Sequence, residues 1–486
     1  MSKEIQNLEP KAVWGKFYEI TQIPRPSKHE EKIREYLIDF AKKNNIECIV
    51  DKIGNVMYRK PATPGMENRK GLVLQAHMDM VPQKNGDKVF DFENDPIDAY
   101  VDGEWVTADG TTLGADNGMG LAAILAAFED NDLKHGLLEA LITVDEETGM
   151  TGAFALEAGV LKGDILLNLD SETHGELYVG CAGGLDLNLT LDYTEEAAPA
   201  GMAAYTLALK GLKGGHSGME IILQRGNANK LMVRFLKYAT KELGLRISAI
   251  DGGGLRNAIP RESVATVLVP AENAAKFEAA VAEYEQLYLS ELALVDEGLT
   301  FKAEKAEMPA TVVDAETQMK ALNMVYGAFN GVYRMSDSMK GLVETSVNLA
   351  HFWIEDKQFK LIGLLRSSVN SQKYDLAEML SSVFDLAGAK YVYTGGYDGW
   401  KPNMESPILK TILASYEGLY GVRPEIMAIH AGLECGILGG QYPHWDMISF
   451  GPTMCFPHSP DEKVNIESVG KFWNFLRHTI ENAPEK

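Results

Sequence analysis

The sequence predicts an α/β fold: a central mixed β-sheet flanked by helices, interrupted by a long inserted α+β unit. Three observations lead to it. In the N-terminal part, short apolar runs alternate with helical patterns, as in strands joined by crossover helices. Past "GCAGGLDLNLTLDY" the texture changes to alternating strands separated by long helices. Near the end the first pattern resumes. The expected division is 1–186 for the first part of the α/β domain, 187–396 for the insertion and 397–486 for the second part.

The elements follow in order. "SKHEEK" offers Ser27 and Glu30 as a capping box. Ile33, Leu37 and Phe40 then recur at helical spacing. Strands are expected in "ECIVDKIGNVMYR", "GLVLQAHMD", "LLEALITVDEE" and "GDILLNLDSE", with an Ala/Leu-rich helix in "ADNGMGLAAILAAFED". In the insertion, "AYTLALKGL" and "ESVATVLVP" read as strands, and "NANKLMVRFLKYATKEL" and "AENAAKFEAAVAEYEQLYLSEL" as helices. An insertion this long has room for two similar halves. "AKYVYTGGYDGWKPN" then precedes the helix "SPILKTILASYEGLYG", and the strand-like "EIMAIHAG" and "DMISFG" follow. The last helix shows Val469, Phe472, Trp473, Leu476 and Ile480 on one face.

The chain has 486 residues, 45% of them hydrophobic, enough for a sizeable core. It carries 46 Lys and Arg against 69 Asp and Glu, a net charge of −23. An acidic surface repels phosphate backbones, which argues against a nucleic-acid partner. No segment reaches the length of a membrane span, and "MSKEIQNLEP" has neither a signal core nor an Arg-rich transit pattern. Cys48, Cys181, Cys435 and Cys455 lack metal-site or paired spacing. A cytoplasmic protein with no membrane partner is expected.

In open α/β sheets, ligands bind beyond the carboxyl ends of the strands. The polar residues at those ends are His77 and Asp79 in "QAHMDMVP", Asp145, Glu146 and Glu147 after "ALIT", Asp170 after "ILLNL", and His458 in "CFPHSPDE". Asp116 precedes its helix in "LGADNGMG". Alone, each has a plain reading: a satisfied polar histidine, a helix cap, a solvated acidic face. Together, so many carboxylates at one sheet edge would repel one another unless a cation lay among them. Two imidazoles, several carboxylates and no thiolate suit Zn2+, Mn2+ or Co2+. A shared carboxylate would hold two such ions. Glu146 and Glu147, if extended, point in different directions, so one can bind metal while the other handles a proton.

The motifs "QAHMDMVP", "GTTLGADNGMGLA", "TVDEETGMTGA", "LLNLDSE" and "FPHSPDEKV", in this order, resemble those of the zinc-dependent aminoacylase and dipeptidase family, and most closely its aminoacyl-histidine (Xaa-His) dipeptidase branch. The resemblance spans nearly the whole chain. It implies a di-metal peptidase domain with an inserted lid, two divalent ions (Zn2+ first, Mn2+ or Co2+ as alternatives) and a dipeptide substrate with a free N-terminus. His77 and Asp170 would bind one metal, Glu147 and His458 the other, and Asp116 would bridge them through a cis peptide to Asn117. Asp79 would orient His77. Glu146 would be the general base that activates water and then protonates the leaving amine. The resemblance implies that peptidases acting on free amino groups tend to carry Asp at position 170, where carboxypeptidases and deacylases tend to carry Glu.

For the lid, the resemblance implies that His216 in "LKGGHSGMEI" stabilises an oxyanion. Asn257 in "GGGLRNAIPRES", Arg366 in "GLLRSSVNS" and His430 in "IHAGLECG" are substrate-binding candidates, Arg366 as a clamp on a carboxylate. Arg366 also reads as a structural arginine, and His216 as a turn histidine. His29, His135, His174, His351, His444 and His478 are expected to be structural or surface residues. Relatives use the lid as a dimer interface and can take the lid histidine from the partner chain. An insertion this long could instead supply His216 within one chain, so a homodimer and a monomer both stay open. Rival readings are a tripeptide aminopeptidase, an N-acyl amino acid deacylase, and a non-catalytic metal- or peptide-binding relative.

Overall fold

The computed structural model describes residues 2–486. The apolar runs of the first and last parts become one eight-stranded sheet, in the order Glu47–Val50, Val56–Lys60, Leu138–Thr143, Leu72–His77, Ile165–Asn168, Asp446–Ser449, Glu176–Cys181 and Glu425–Ile429. Strands 138–143, 72–77, 165–168 and 446–449 run parallel, and antiparallel pairs flank them. The first three of these are buried along their whole length, as central strands covered on both faces must be. The helix Ala115–Glu129 packs on Leu72–His77 and against the helix Lys11–Thr21. Its small residues let it approach closely: a Cβ on Gly120 would lie 2.6 Å from the Leu169 carbonyl oxygen. A four-stranded sheet pairs Lys463–Asn465 with Trp105–Ala108, so the end of the chain returns to its beginning. The final helix, Ile466–Glu481, buries the five apolar residues its spacing predicts.

The helix Glu31–Lys43 buries Ile33, Leu37 and Phe40 as expected, but its start is not a capping box. Glu30 stands at the cap position with no side-chain cap bond, and its carboxylate accepts from the Lys28 N–H at 2.8 Å. The Ser27 hydroxyl donates to Asp79 Oδ2 at 2.8 Å. A fully buried carboxylate needs donors more than an exposed helix end needs a cap.

The chain divides into two units. The first runs to Gly180 and resumes over Pro402–Ala428 and Leu433–Lys486; the second is Cys181–Lys401 with Ile429–Gly432. The boundaries therefore fall outside the expected 187 and 396. Gly183–Asp192 is one continuous strand of the second unit's sheet, and Cys181 and Trp400 exchange two backbone bonds of 3.0 Å. Ile429–Gly432 joins them because the Ala182 N–H donates to the carbonyls of Ile429 and Ala431.

The second unit is built on a nine-stranded sheet whose resolved strand pairs are all antiparallel. It holds two halves of like topology. One runs strand 202–210, helix 228–243, strands 246–253 and 263–270, helix 274–291, strand 300–305. The other takes its first strand from 183–192, then continues with helix 315–327, strands 343–355 and 358–367, helix 370–387 and strand 390–394. Both halves have the spatial order fourth, first, third, second strand, and they meet where Asp251–Gly253 pairs with His351–Trp353. Leucines of 183–192, aromatics such as Phe235, Phe277 and Phe352, and the apolar faces of all four helices form one core. Among the described residues no helix is long and apolar enough to cross a membrane.

Candidate metal centre

His77 is the last residue of its strand, Asp145–Glu147 follow Leu138–Thr143, and Asp170 follows Ile165–Asn168. These strands are parallel neighbours, so all three groups emerge at one sheet edge. The His77 ring is held from both ends: Nδ1 lies 3.2 Å from Asp79 Oδ1, and Nε2 lies 3.1 Å from Asp116 Oδ1 and 3.4 Å from Asp170 Oδ1. The other oxygen of Asp116 lies 3.2 Å from His458 Nε2, which also lies 2.9 Å from Glu147 Oε2. Asp116 thus stands between two His–carboxylate pairs. Its backbone is non-helical and its peptide bond to Asn117 is cis. The Asn117 amide donates to Asp170.

Asp79 accepts four bonds: from Ser27, from the His77 ring and from the N–H groups of Glu146 and Glu147. Burial raises its carboxyl, but these bonds outweigh it and hold the pKa at about 2. Glu146 and Glu147 are not extended, as the sequence reading supposed; they lie on one helical turn, Glu146–Gly149, which still aims adjacent side chains apart.

Two residues outside the predicted set shape the site. The Glu462 carboxylate accepts the N–H groups of Leu113, Gly114, Ala115 and Asp116 at 2.7–3.2 Å. The buried Arg25 donates to the carbonyls of Met78, Asp79 and Gly114. Together they clamp the segments that present His77, Asp116 and His458. Glu462 lies inside the quoted "FPHSPDEKV"; nothing around Arg25 in the sequence marks it.

The donor set fits divalent ions. His77, Asp116 and Asp170 bring one ligand atom each to within 4.8 Å of one another, and so do Asp116, Glu147 and His458. Glu147 Oε1 is buried with no hydrogen-bond partner. The field at the site calls for positive charge. Asp116 and Glu147 push the His458 pKa up to about 11, and around His77 the carboxylates overcome burial and raise it well above its ordinary value. Burial lifts Asp170 to about 6 and Glu146 well above the usual carboxylate range. His77, Glu146 and Glu147 also lie within 4.8 Å of one another, so Glu146 borders the same centre; a fourth group, Glu30, Asp79 and Asp145, does too, but Ser27, Lys28, Thr148 and Thr151 supply its donors.

The remaining predicted residues belong to the second unit. His216 Nδ1 accepts from the N–H groups of Gly218 and Met219, at 3.3 and 3.1 Å. In the neutral ring the proton therefore sits on Nε2, leaving a donor free. Burial and the Arg366 guanidinium lower its pKa. Arg366 is 5% exposed, and its Nε lies 3.4 Å from Ser217 Oγ. His430 Nε2 lies 2.7 Å from Ser346 Oγ while Nδ1 has no partner. Burial, with Arg366 and His216 nearby, pushes the His430 pKa down to about 3. Asn257 is exposed; its carbonyl accepts from the Ser217 N–H at 2.8 Å. Ser217, Ser346 and Tyr397, which bonds Arg366, are the members of this cluster that sequence reading missed.

An acid-and-imidazole centre at the carboxyl edge of a parallel sheet, buried at His77 and Asp116 and open at His458, is built to hold divalent ions for hydrolysis. The chain belongs to peptidase family M20/M25/M40, whose model matches residues 73–482. It is 47% identical over 483 residues to the cytosol non-specific dipeptidase of Escherichia coli, covering 99% of this chain and 100% of that one. The structure is similar to the crystal structure of aminoacylhistidine dipeptidase from Vibrio alginolyticus, with a TM-score of 0.95, 50% identity and full coverage of both chains. Aminopeptidase PepT from Bacillus cereus shares the fold at 16% identity, with a TM-score of 0.58 over 98% of this chain and 99% of that one.

Proposed function

We propose that this peptidase is a di-metal dipeptidase acting on substrates with a free N-terminus, Xaa-His dipeptides among them. The observation that carries the metal reading is Asp116, whose two oxygens face two separate His–carboxylate pairs. His77 and Asp170 would hold one ion, Glu147 and His458 the other, with Asp116 shared. The two ions, Zn2+ in the first instance, would polarise a carbonyl and lower the pKa of water at neutral pH. Names of the similar dipeptidases support the substrate class, as does Asp at position 170.

The chain's own groups supply the rest. Asp79 fixes the His77 ring so that Nε2 faces the centre. Glu146, beside His77 and Glu147 at the edge of the centre, takes a proton from water and returns it to the departing amine. Within the second unit, Arg366 would receive a substrate carboxylate, with Asn257 and His430 as further candidates, and the His216 Nε2–H would serve as an oxyanion donor.

The test is hydrolysis of β-Ala-His, Gly-His, Ala-Leu, Ala-Ala-Ala and N-acetyl or N-succinyl amino acids after chelation and after adding back Zn2+, Mn2+ or Co2+. Metal-restored cleavage confined to the dipeptides is expected. Cleavage of the tripeptide or acyl substrates instead would move the chain to another activity of the family.

A further inference from the structure

Glu434 opens the helix Glu434–Gln441 of the first unit and is 1% exposed. Carboxylates are almost never buried so completely unless paired. Here the partners are neutral: Oε2 accepts from Gln75 Nε2 at 2.6 Å and from Thr143 Oγ1 at 2.9 Å, while Oε1 has no partner at all.

Both donors lie directly beneath the metal centre. Gln75 precedes His77 by two residues, so the two side chains leave the same face of the strand. Thr143 is the residue paired with His77 on the neighbouring strand. Gln75 in turn pairs with Asn168, which precedes Asp170 by two residues, and the Asn168 amide donates to Gln75 Oε1. Asn168 Oδ1 accepts from Ser449, whose hydroxyl lies 2.6 Å from that of Ser171. One polar row thus crosses four parallel strands under their carboxyl ends, with Glu434 as its terminal acceptor.

An apolar layer at this depth would pack the strands but leave their ends free to adjust. A connected polar row fixes side-chain orientation, and at its end one Glu434 oxygen holds donors from two neighbouring strands at once. Both ends of the Gln75 amide are committed, the nitrogen to Glu434 and the oxygen to Asn168. Glu147 and His458 stand apart from the row, on a helical turn and in a loop.

We propose that Glu434 is a positioning residue for one half of the metal centre: through Gln75 and Asn168 it sets the spacing of the strand ends that present His77 and Asp170. This rests on the di-metal reading above. The test titrates metal-stripped, full-length protein with Zn2+ against a chromophoric chelator. Asp170→Ala and His458→Ala identify the two binding steps. Glu434→Ala is expected to weaken the Asp170 step about 10–100-fold, the range for residues that orient ligands, and to leave the His458 step unchanged. Glu434→Gln keeps an acceptor oxygen of the same reach and should restore the weakened step. Should Glu434→Ala not fold, Gln75→Met cuts the same link at nearly equal volume and is expected to give the same split. Both steps unchanged, or both weakened equally, overturns the inference and leaves the metal centre standing. A wild-type protein that takes up no Zn2+ overturns the di-metal reading itself.

Discussion

His77 and His430 are both buried, at 1% and 5% exposure, yet their surroundings shift their pKa values in opposite directions. Burial alone favours the neutral ring in both. Around His77, Asp170, Asp116 and Asp79 overcome that preference; around His430, Arg366 and His216 reinforce it. The sign of the neighbours, more than depth, decides what a buried imidazole becomes. The first unit's cluster is prepared for cations. The second unit's cluster gathers a buried guanidinium and two imidazoles whose pKa values are lowered, the setting the proposed carboxylate clamp needs.

If that contrast holds, removing acid from the first cluster and base from the second should damage different things. The largest effect is expected from Asp116→Ala, which removes the shared carboxylate: loss of bound metal by atomic absorption and loss of all measurable hydrolysis, as chelation of the wild type should also produce. Glu146→Ala comes next, with turnover reduced about 10²–10⁴-fold while both ions remain bound. Substantial residual turnover would remove Glu146 as the base. Arg366→Ala should lower kcat/KM for dipeptides about 10–100-fold, the cost of a charged hydrogen bond, chiefly through KM and with metal content unchanged. A fall in metal content instead would blur the two clusters into one.

The smallest expected effect is on stability. His430 has a folded pKa of about 3 against an ordinary 6.5. Between these values the unfolded chain binds the proton and the folded one does not, so stability is full above about 6.5 and declines as pH falls through the window, by at most about 1.4 kcal/mol per unit. In urea unfolding at a series of pH values, His430→Gln should show a shallower acid decline than wild type. Equal slopes would mean that His430 is not held neutral.

Much of this was legible in the sequence. Strand ends carrying His77, Asp170 and the Asp145–Glu147 run were readable because a parallel strand is an apolar run with a sharp polar stop. Arg25 was not, since its partners are backbone carbonyls, which have no sequence signature. Glu462 and Glu434 lay in quoted motifs, "FPHSPDEKV" and "IHAGLECG", but their roles depend on donors hundreds of residues away. Ser27 and Glu30 matched a local capping pattern that a distant buried carboxylate overrode. The doubled topology of the second unit was only an open possibility, because its halves are interleaved: the first strand of one precedes the whole of the other.

Asp116 meets His458 across 342 residues of chain, and Glu462 grips the Asp116 loop from just beyond. On the proposed reading, a growing chain therefore carries an incomplete set of ligands throughout the synthesis of the entire second unit. The catalytic centre closes only when the C-terminal segment has been made and has paired back onto Trp105–Ala108. Hydrolytic capacity then arrives last, once His458 has joined the ligands made at the start of the chain.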